Sequence, residues 1–193
     1  MSSSTVDSLP HVSFPLQAAD DAALEAEVLV LFDECAGSLN RYVRGCGLPA
    51  DAADDVVQET FIALFRHLRL DRPRDNLRGW LFTVAHRQAQ KYRQRTARRG
   101  AVEYAVEPAV IDKEPDGAGN PETLLTAGET IRQVQEAFQE LPERHRQCLL
   151  LRAQGLRYRQ IAQVLGISLG GVAKTVASAV LRLSVAAGDD QCT

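Results

Sequence analysis

Apolar residues recur along this chain at steps of three and four, and almost nowhere at steps of two. Leu24, Val28, Leu31, Cys35, Leu39 and Tyr42 set one stripe, which predicts a helix over residues 20–44. Gly45, Gly47 and Pro49 end it. A second helix is expected over residues 51–68, with Asp51 as its N-cap, Asp54 and Asp55 near its start, and the seam Val57, Phe61, Leu64 and Leu68. After the loop around Pro73, Asn76 can cap a third helix running to Arg98 behind the seam Leu77, Leu81, Val84, Gln88 and Tyr92.

From Gly100 to Thr126 the periodicity disappears. Pro108, Pro115, Gly117, Gly119 and Pro121 stand among many acids, a composition expected of a linker. Beyond it, Leu125, Ile131, Val134, Phe138 and Leu141 predict a fourth helix ended by Pro142, and a fifth follows to Ala153. A short helix over 157–165, a tight turn at Gly166, Ile167 and Ser168, and a last helix over 169–185 complete the pattern. The expectation is an all-α protein of two small helical domains joined by an acidic flexible linker. Its parts are a disordered extension over 1–19, a bundle over 20–99, the linker over 100–126, a second domain over 127–187 and a tail over 188–193.

The segment YRQIAQVLGISLGGVAKTVASAVLRL, residues 158–183, has helix-turn-helix spacing. Ala162 is small where two helices cross, Gly166 can take the positive φ of the turn, and Ser168 can cap the second helix. Ile161, Leu165, Ile167 and Val172 fill the space between them. Such a second helix enters the major groove by its first turns, which makes Lys174, Thr175 and Ser178 candidates for base edges. Ser168 stands beside them, and Arg157, Arg159 and Arg182 are candidates for phosphates.

Charge sharpens this division. The net charge of -3 conceals eleven acids against two bases over residues 1–60, then eleven bases against two acids over 61–99. Nine acids face two bases over 100–140, and seven bases face three acids over 141–193. Blocks of this size predict separate acidic and basic working surfaces, the basic ones suited to phosphate. In the third helix Arg87, Lys91, Arg95 and Arg98 follow one another at steps of four, four and three, a slowly drifting cationic stripe. Trp80 is expected in the core rather than as a stacking platform.

Other chemistry is not indicated. Cys35, Cys46, Cys148 and Cys192 lack metal-ligand spacing, so no metal is expected, and Cys35 and Cys148 are read as core packing. There is no Gly-rich phosphate loop, no paired-carboxylate cleft and no nucleophile with a supporting base, so the chain reads as a non-enzyme with no cofactor and no small-molecule substrate. No signal peptide or ~20-residue apolar run is apparent, which predicts a cytoplasmic protein without membrane insertion.

Three runs together resemble the sigma-70-type extracytoplasmic-function (ECF) sigma factors of bacterial RNA polymerase. They are DDVVQETF at 54–61, NLRGWLFTVA at 76–85, and LPERHRQCLLL at 141–151 feeding the helix-turn-helix. The resemblance covers residues 20–99 and 122–185. It implies that Asp54, Asp55, Gln58 and Glu59 dock on core polymerase. It further implies that Arg78, Arg87, Lys91, Arg95 and Arg98 serve the minus-ten promoter element, and that the helix-turn-helix residues above serve the minus-thirty-five element. The implied partners are core RNA polymerase and promoter DNA, with an anti-sigma factor as a further one. Residues 170–174 and 176–180 resemble the branch linked to iron-siderophore uptake. Two other readings stand beside it: a LuxR-like transcriptional regulator, which fits the C-terminal half by itself but not the acidic second helix and basic third helix, and a degenerate sigma-like protein-interaction module, suggested by a recognition helix poor in arginine.

Overall fold

The computed structural model describes residues 15–98, Gly100 and residues 121–188. Among these there are seven helices: α1 Pro15–Gly45, α2 Ala50–Arg69, α3 Leu77–Arg98, α4 Pro121–Glu140, α5 Glu143–Ala153, α6 Tyr158–Leu165 and α7 Leu169–Ala186. Residues 1–14 of the expected extension over 1–19, residues 189–193 of the expected tail over 188–193 and linker residues 101–120 lie outside the described residues. Two boundaries move. α1 begins at Pro15 rather than residue 20, and α4 begins at Pro121, inside the expected linker. A proline costs a helix nothing in its first turn, where the missing N–H would have had no intrahelical partner.

The first three helices form the bundle the periodicity predicts. Cys35, Leu39, Tyr42 and Val43 of α1 face Val57, Phe61, Leu64 and Leu68 of α2, all buried. Capping differs in one place. Pro49, not Asp51, occupies the cap of α2 in extended geometry, and Asp51 lies in the first turn, where its charge still favours the helix dipole. Asn76 caps α3 as expected: its Oδ1 accepts the Gly79 N–H at 3.3 Å, with the residue held at φ 56°. Gly79 leaves room for this cap, since a Cβ on it would fall 2.3 Å from Asn76 Nδ2 and the capping side chain would have to shift.

The seam expected on α3 is rotated. The buried residues are Leu81, Phe82, Ala85, His86 and Ala89, whereas Leu77, Val84, Gln88 and Tyr92 are only partly covered. The reason is that α3 is packed on two sides, by α1 and α2 and again by α6. Helices on either side of the linker therefore share one contiguous core, running from Cys35 to Val176. At this junction Gly45 meets Leu150 so closely that a Cβ would lie 2.7 Å from its Cδ2.

α6 and α7 form the helix-turn-helix. Gly166 sits at φ 64°, ψ 35°, the left-handed region its position requires, and Ile167 N–H returns to the Ala162 carbonyl at 3.1 Å. Ser168 Oγ caps α7 by accepting the Gly171 N–H at 3.1 Å. Ile161 and Val172 are fully buried between the helices.

Candidate nucleic-acid interface

On α2 the four acidic and amide candidates all reach solvent. Asp54, Asp55, Gln58 and Glu59 are exposed, opposite the buried Val57 and Phe61. Asp54 is additionally held by α1, accepting from Asn40 Nδ2 at 2.6 Å. That leaves Asp55, Gln58 and Glu59 as one outward polar edge, at spacings of three and four that a helix brings onto one side.

On α3, Arg87, Lys91, Arg95 and Arg98 are exposed as a stripe. Arg78 is set apart from them. It is partly covered, lies over the Phe82 ring at 5.9 Å, and donates from Nη2 to the Gln154 carbonyl at 2.7 Å, at the C-terminal end of α5. Its charge thereby meets the negative end of that helix. Trp80 is half-buried against the core, with its ring 4.6 Å from that of His67, in keeping with the packing role expected of it.

The acidic and basic edges are less separate than the charge blocks suggest. Asp55 and Glu59 share a groove of about 440 Å³ with Lys91 and Arg95, lined also by Ala52, Val56, Gln88 and Tyr92. With its amide assigned so that the nitrogen faces these acceptors, Gln88 ties the two helices there, donating to the Val56 carbonyl at 3.3 Å and to Glu59 Oε2 at 3.2 Å.

In the helix-turn-helix, Arg157, Arg159, Ser168, Lys174 and Arg182 are exposed, but Thr175 and Ser178 are half-covered. α7 turns Gly170, Ala173, Lys174 and Ala177 outward instead, because its opposite side is packed on α5 and α4. α7 is also apolar enough by length and composition to cross a bilayer, with mean hydropathy 1.3 over 18 residues. Its buried residues Val172, Val176 and Ala179 nevertheless join the other helices, and Lys174 and Arg182 interrupt its surface.

Residues that periodicity did not single out join the two halves. Gln160 of α6 donates from Nε2 to Asn76 Oδ1 at 2.5 Å while its Oε1 accepts the Arg157 N–H at 2.8 Å. Arg93 of α3 pairs with Glu143 of α5. Behind them, Tyr42 and His86 share a buried hydrogen bond of 2.7 Å. Burial lowers the His86 pKa, aided by Arg93 and Arg87 and opposed by Glu143, so the ring stays neutral and its Nδ1 can accept from the tyrosine hydroxyl. Cys46 lies beside Tyr42, and burial pushes its thiol up to about 12. Burial also raises Cys35 and Cys148, whose side chains pack in the core. None of the three is a reactive thiolate near neutral pH.

Residues 31–99 match the family described as Sigma-70 region 2, and residues 131–183 match Sigma-70, region 4. The chain is 30% identical over 162 residues to the ECF RNA polymerase sigma-E factor of Salmonella typhimurium, covering 81% of this chain and 82% of that protein. The chain belongs to the ECF RNA polymerase sigma factor family. Against the ECF RNA polymerase sigma factor SigE of Mycolicibacterium smegmatis, this sigma factor is 31% identical over 121 residues, which are 62% of this chain and 46% of that protein. Its fold also resembles the sigma factor RpoE of Bartonella quintana, solved in complex with the anti-sigma factor NepR. That likeness has a TM-score of 0.60 and 20% identity, and covers 88% of this chain and 99% of that one.

The order of elements explains why both halves of a sigma factor are recognisable here. Region 2 contains the C-terminal half of α1 together with all of α2 and α3, hence both the acidic and the cationic edge. Region 4 contains the helix-turn-helix.

Proposed function

We propose that this sigma factor binds core RNA polymerase through Asp55, Gln58 and Glu59 of α2, with Asp54 beside them, and promoter DNA through α3 and the helix-turn-helix. The observation that carries the reading is the exposure of an acidic edge and a cationic edge on adjacent helices of one bundle. Arg87 and Arg98, which stand outside the shared groove, face the phosphates of the opened minus-ten strand. Lys174, with the small residues Gly170, Ala173 and Ala177 around it, approaches the minus-thirty-five bases, and Arg157, Arg159 and Arg182 hold backbone phosphates. Thr175 and Ser178 contribute from the edge of this surface, and Arg78 joins the DNA side only when it leaves the Gln154 carbonyl.

The protein acts in the cytoplasm and is not itself an enzyme, since bond making belongs to the polymerase. An anti-sigma factor is its regulatory partner, a reading supported by the likeness to a sigma factor solved with one. The exposed apolar side chains Val180, Leu181 and Val185 of α7 suit a protein partner. Residues 170–174 and 176–180 support a place near the iron-siderophore-uptake branch.

Run-off transcription with core polymerase over a library of promoter sequences tests this reading. Promoter-selective transcripts are expected from the wild type, and Asp55→Arg should abolish them together with core binding while leaving the thermal unfolding midpoint unchanged. Wild-type transcripts no different from those of core enzyme without sigma would overturn the reading.

A further inference from the structure

The groove between α2 and α3 has one acidic wall and one basic wall. Asp55 and Glu59 stand one turn apart on α2, and Lys91 and Arg95 stand one turn apart on α3. All four are exposed, and none of them forms an ion pair among the described residues. In the amide orientation assigned above, Gln88 bonds across the groove to Val56 and Glu59.

This arrangement discriminates between occupants. A phosphate backbone drawn to Lys91 and Arg95 would be repelled by the two carboxylates lining the same groove. A uniformly basic protein segment would meet the converse penalty. The occupant with least conflict is a helix bearing cations along one edge and carboxylates along the other, because charges one turn apart on a partner helix repeat at the spacing of both walls. Complementary charge of this kind fixes register and disfavours wrong partners more than it adds affinity.

We infer that Lys91 and Arg95 belong to the polymerase-docking surface with Asp55 and Glu59, and that the groove receives a polymerase helix with cations toward α2 and carboxylates toward α3. This inference rests on the proposed docking role of α2. It divides the cationic stripe, leaving Arg87 and Arg98 outside the groove for DNA.

The test is binding of the full-length, fluorescently labelled protein to core polymerase without DNA, measured by anisotropy, followed by open-complex formation on a promoter. The double variant Lys91→Glu with Arg95→Glu should weaken core binding by about tenfold or more, the scale of a lost charge complementarity. The milder Lys91→Gln with Arg95→Gln should show a smaller loss in the same direction and guards against misfolding of the first. Unchanged core affinity in both double variants, with promoter opening impaired, would assign these cations to DNA and overturn the inference while the docking role of α2 stands. Unchanged core affinity in Asp55→Arg as well would remove that docking role itself.

Discussion

Gln160 Nε2 donates to Asn76 Oδ1 at 2.5 Å, so the first helix of the helix-turn-helix is bonded to the residue that caps α3. One carboxamide oxygen thus serves two contacts, a local cap and a contact 84 residues away. Asn76 Nδ2 completes the clasp toward Gln163 Oε1 at 3.4 Å.

The two ends of that bond should respond differently to removal. Asn76→Ala loses the cap as well as the clasp, and loss of a cap costs ~1 kcal/mol, or a fall of roughly 2–4 °C in the unfolding midpoint for a protein of this size. Gln160→Ala spares that cap but loses, with the clasp, the acceptor of the Arg157 N–H at the exposed start of α6, an N–H that water can reach. It should reduce the midpoint less, yet increase the distance between fluorophores placed on α2 and α7 as much as Asn76→Ala does. Distances unchanged in both variants would show that Arg78, Arg93 and the shared core hold the halves together without the amides.

Two glycines of the helix-turn-helix should give opposite signs when changed to alanine. Gly166 has open space around it but stands at φ 64°, so Gly166→Ala costs ~1–2 kcal/mol in backbone strain alone. Gly170 lies in the first turn of α7, also in open space and without positive φ, so Gly170→Ala should stabilise by ~0.5–1 kcal/mol. Chemical denaturation of the two variants measures both. A destabilised Gly170→Ala would mean that α7 does not begin as a regular helix.

His86 gives the protein a pH dependence of definite sign. Its pKa is lowered in the folded state, chiefly by burial, so the unfolded chain binds more protons as the solution is acidified. The stability it contributes is complete above the ordinary value of 6.5 and is lost as pH falls toward and through the depressed folded value. Denaturation at pH 7.5 and pH 5.5 should show wild type losing stability on acidification and His86→Gln losing less. Equal losses would place the dependence on other groups.

Much of this was legible in residue order because each feature is local. The seam Val57, Phe61, Leu64 and Leu68 is buried as its period requires, since α2 packs along that face. Gly166 and Ser168 take the turn and cap their positions predict, because both geometries are settled by neighbours within a few residues. The exposure of Asp55, Gln58 and Glu59 follows from lying opposite that seam.

What periodicity missed arises from contacts between distant segments. The seam of α3 departs from its period because a one-sided pattern cannot describe a helix covered by α1, α2 and α6 at once. Helical spacing alone turns Thr175 and Ser178 outward, but packing against α5 and α4 turns them half away. Arg78 reads as one more cation until Gln154 is found beside it.

By itself, the order of residues determined the all-helical class, the helix-turn-helix and the segregation of acids from bases, since propensity, turn chemistry and charge all act within a few positions. Only the tertiary structure decided that the two halves share a core and that Asp55 and Glu59 stand across a groove from Lys91 and Arg95. Both depend on the rotation and approach of whole helices, which short-range spacing leaves undetermined.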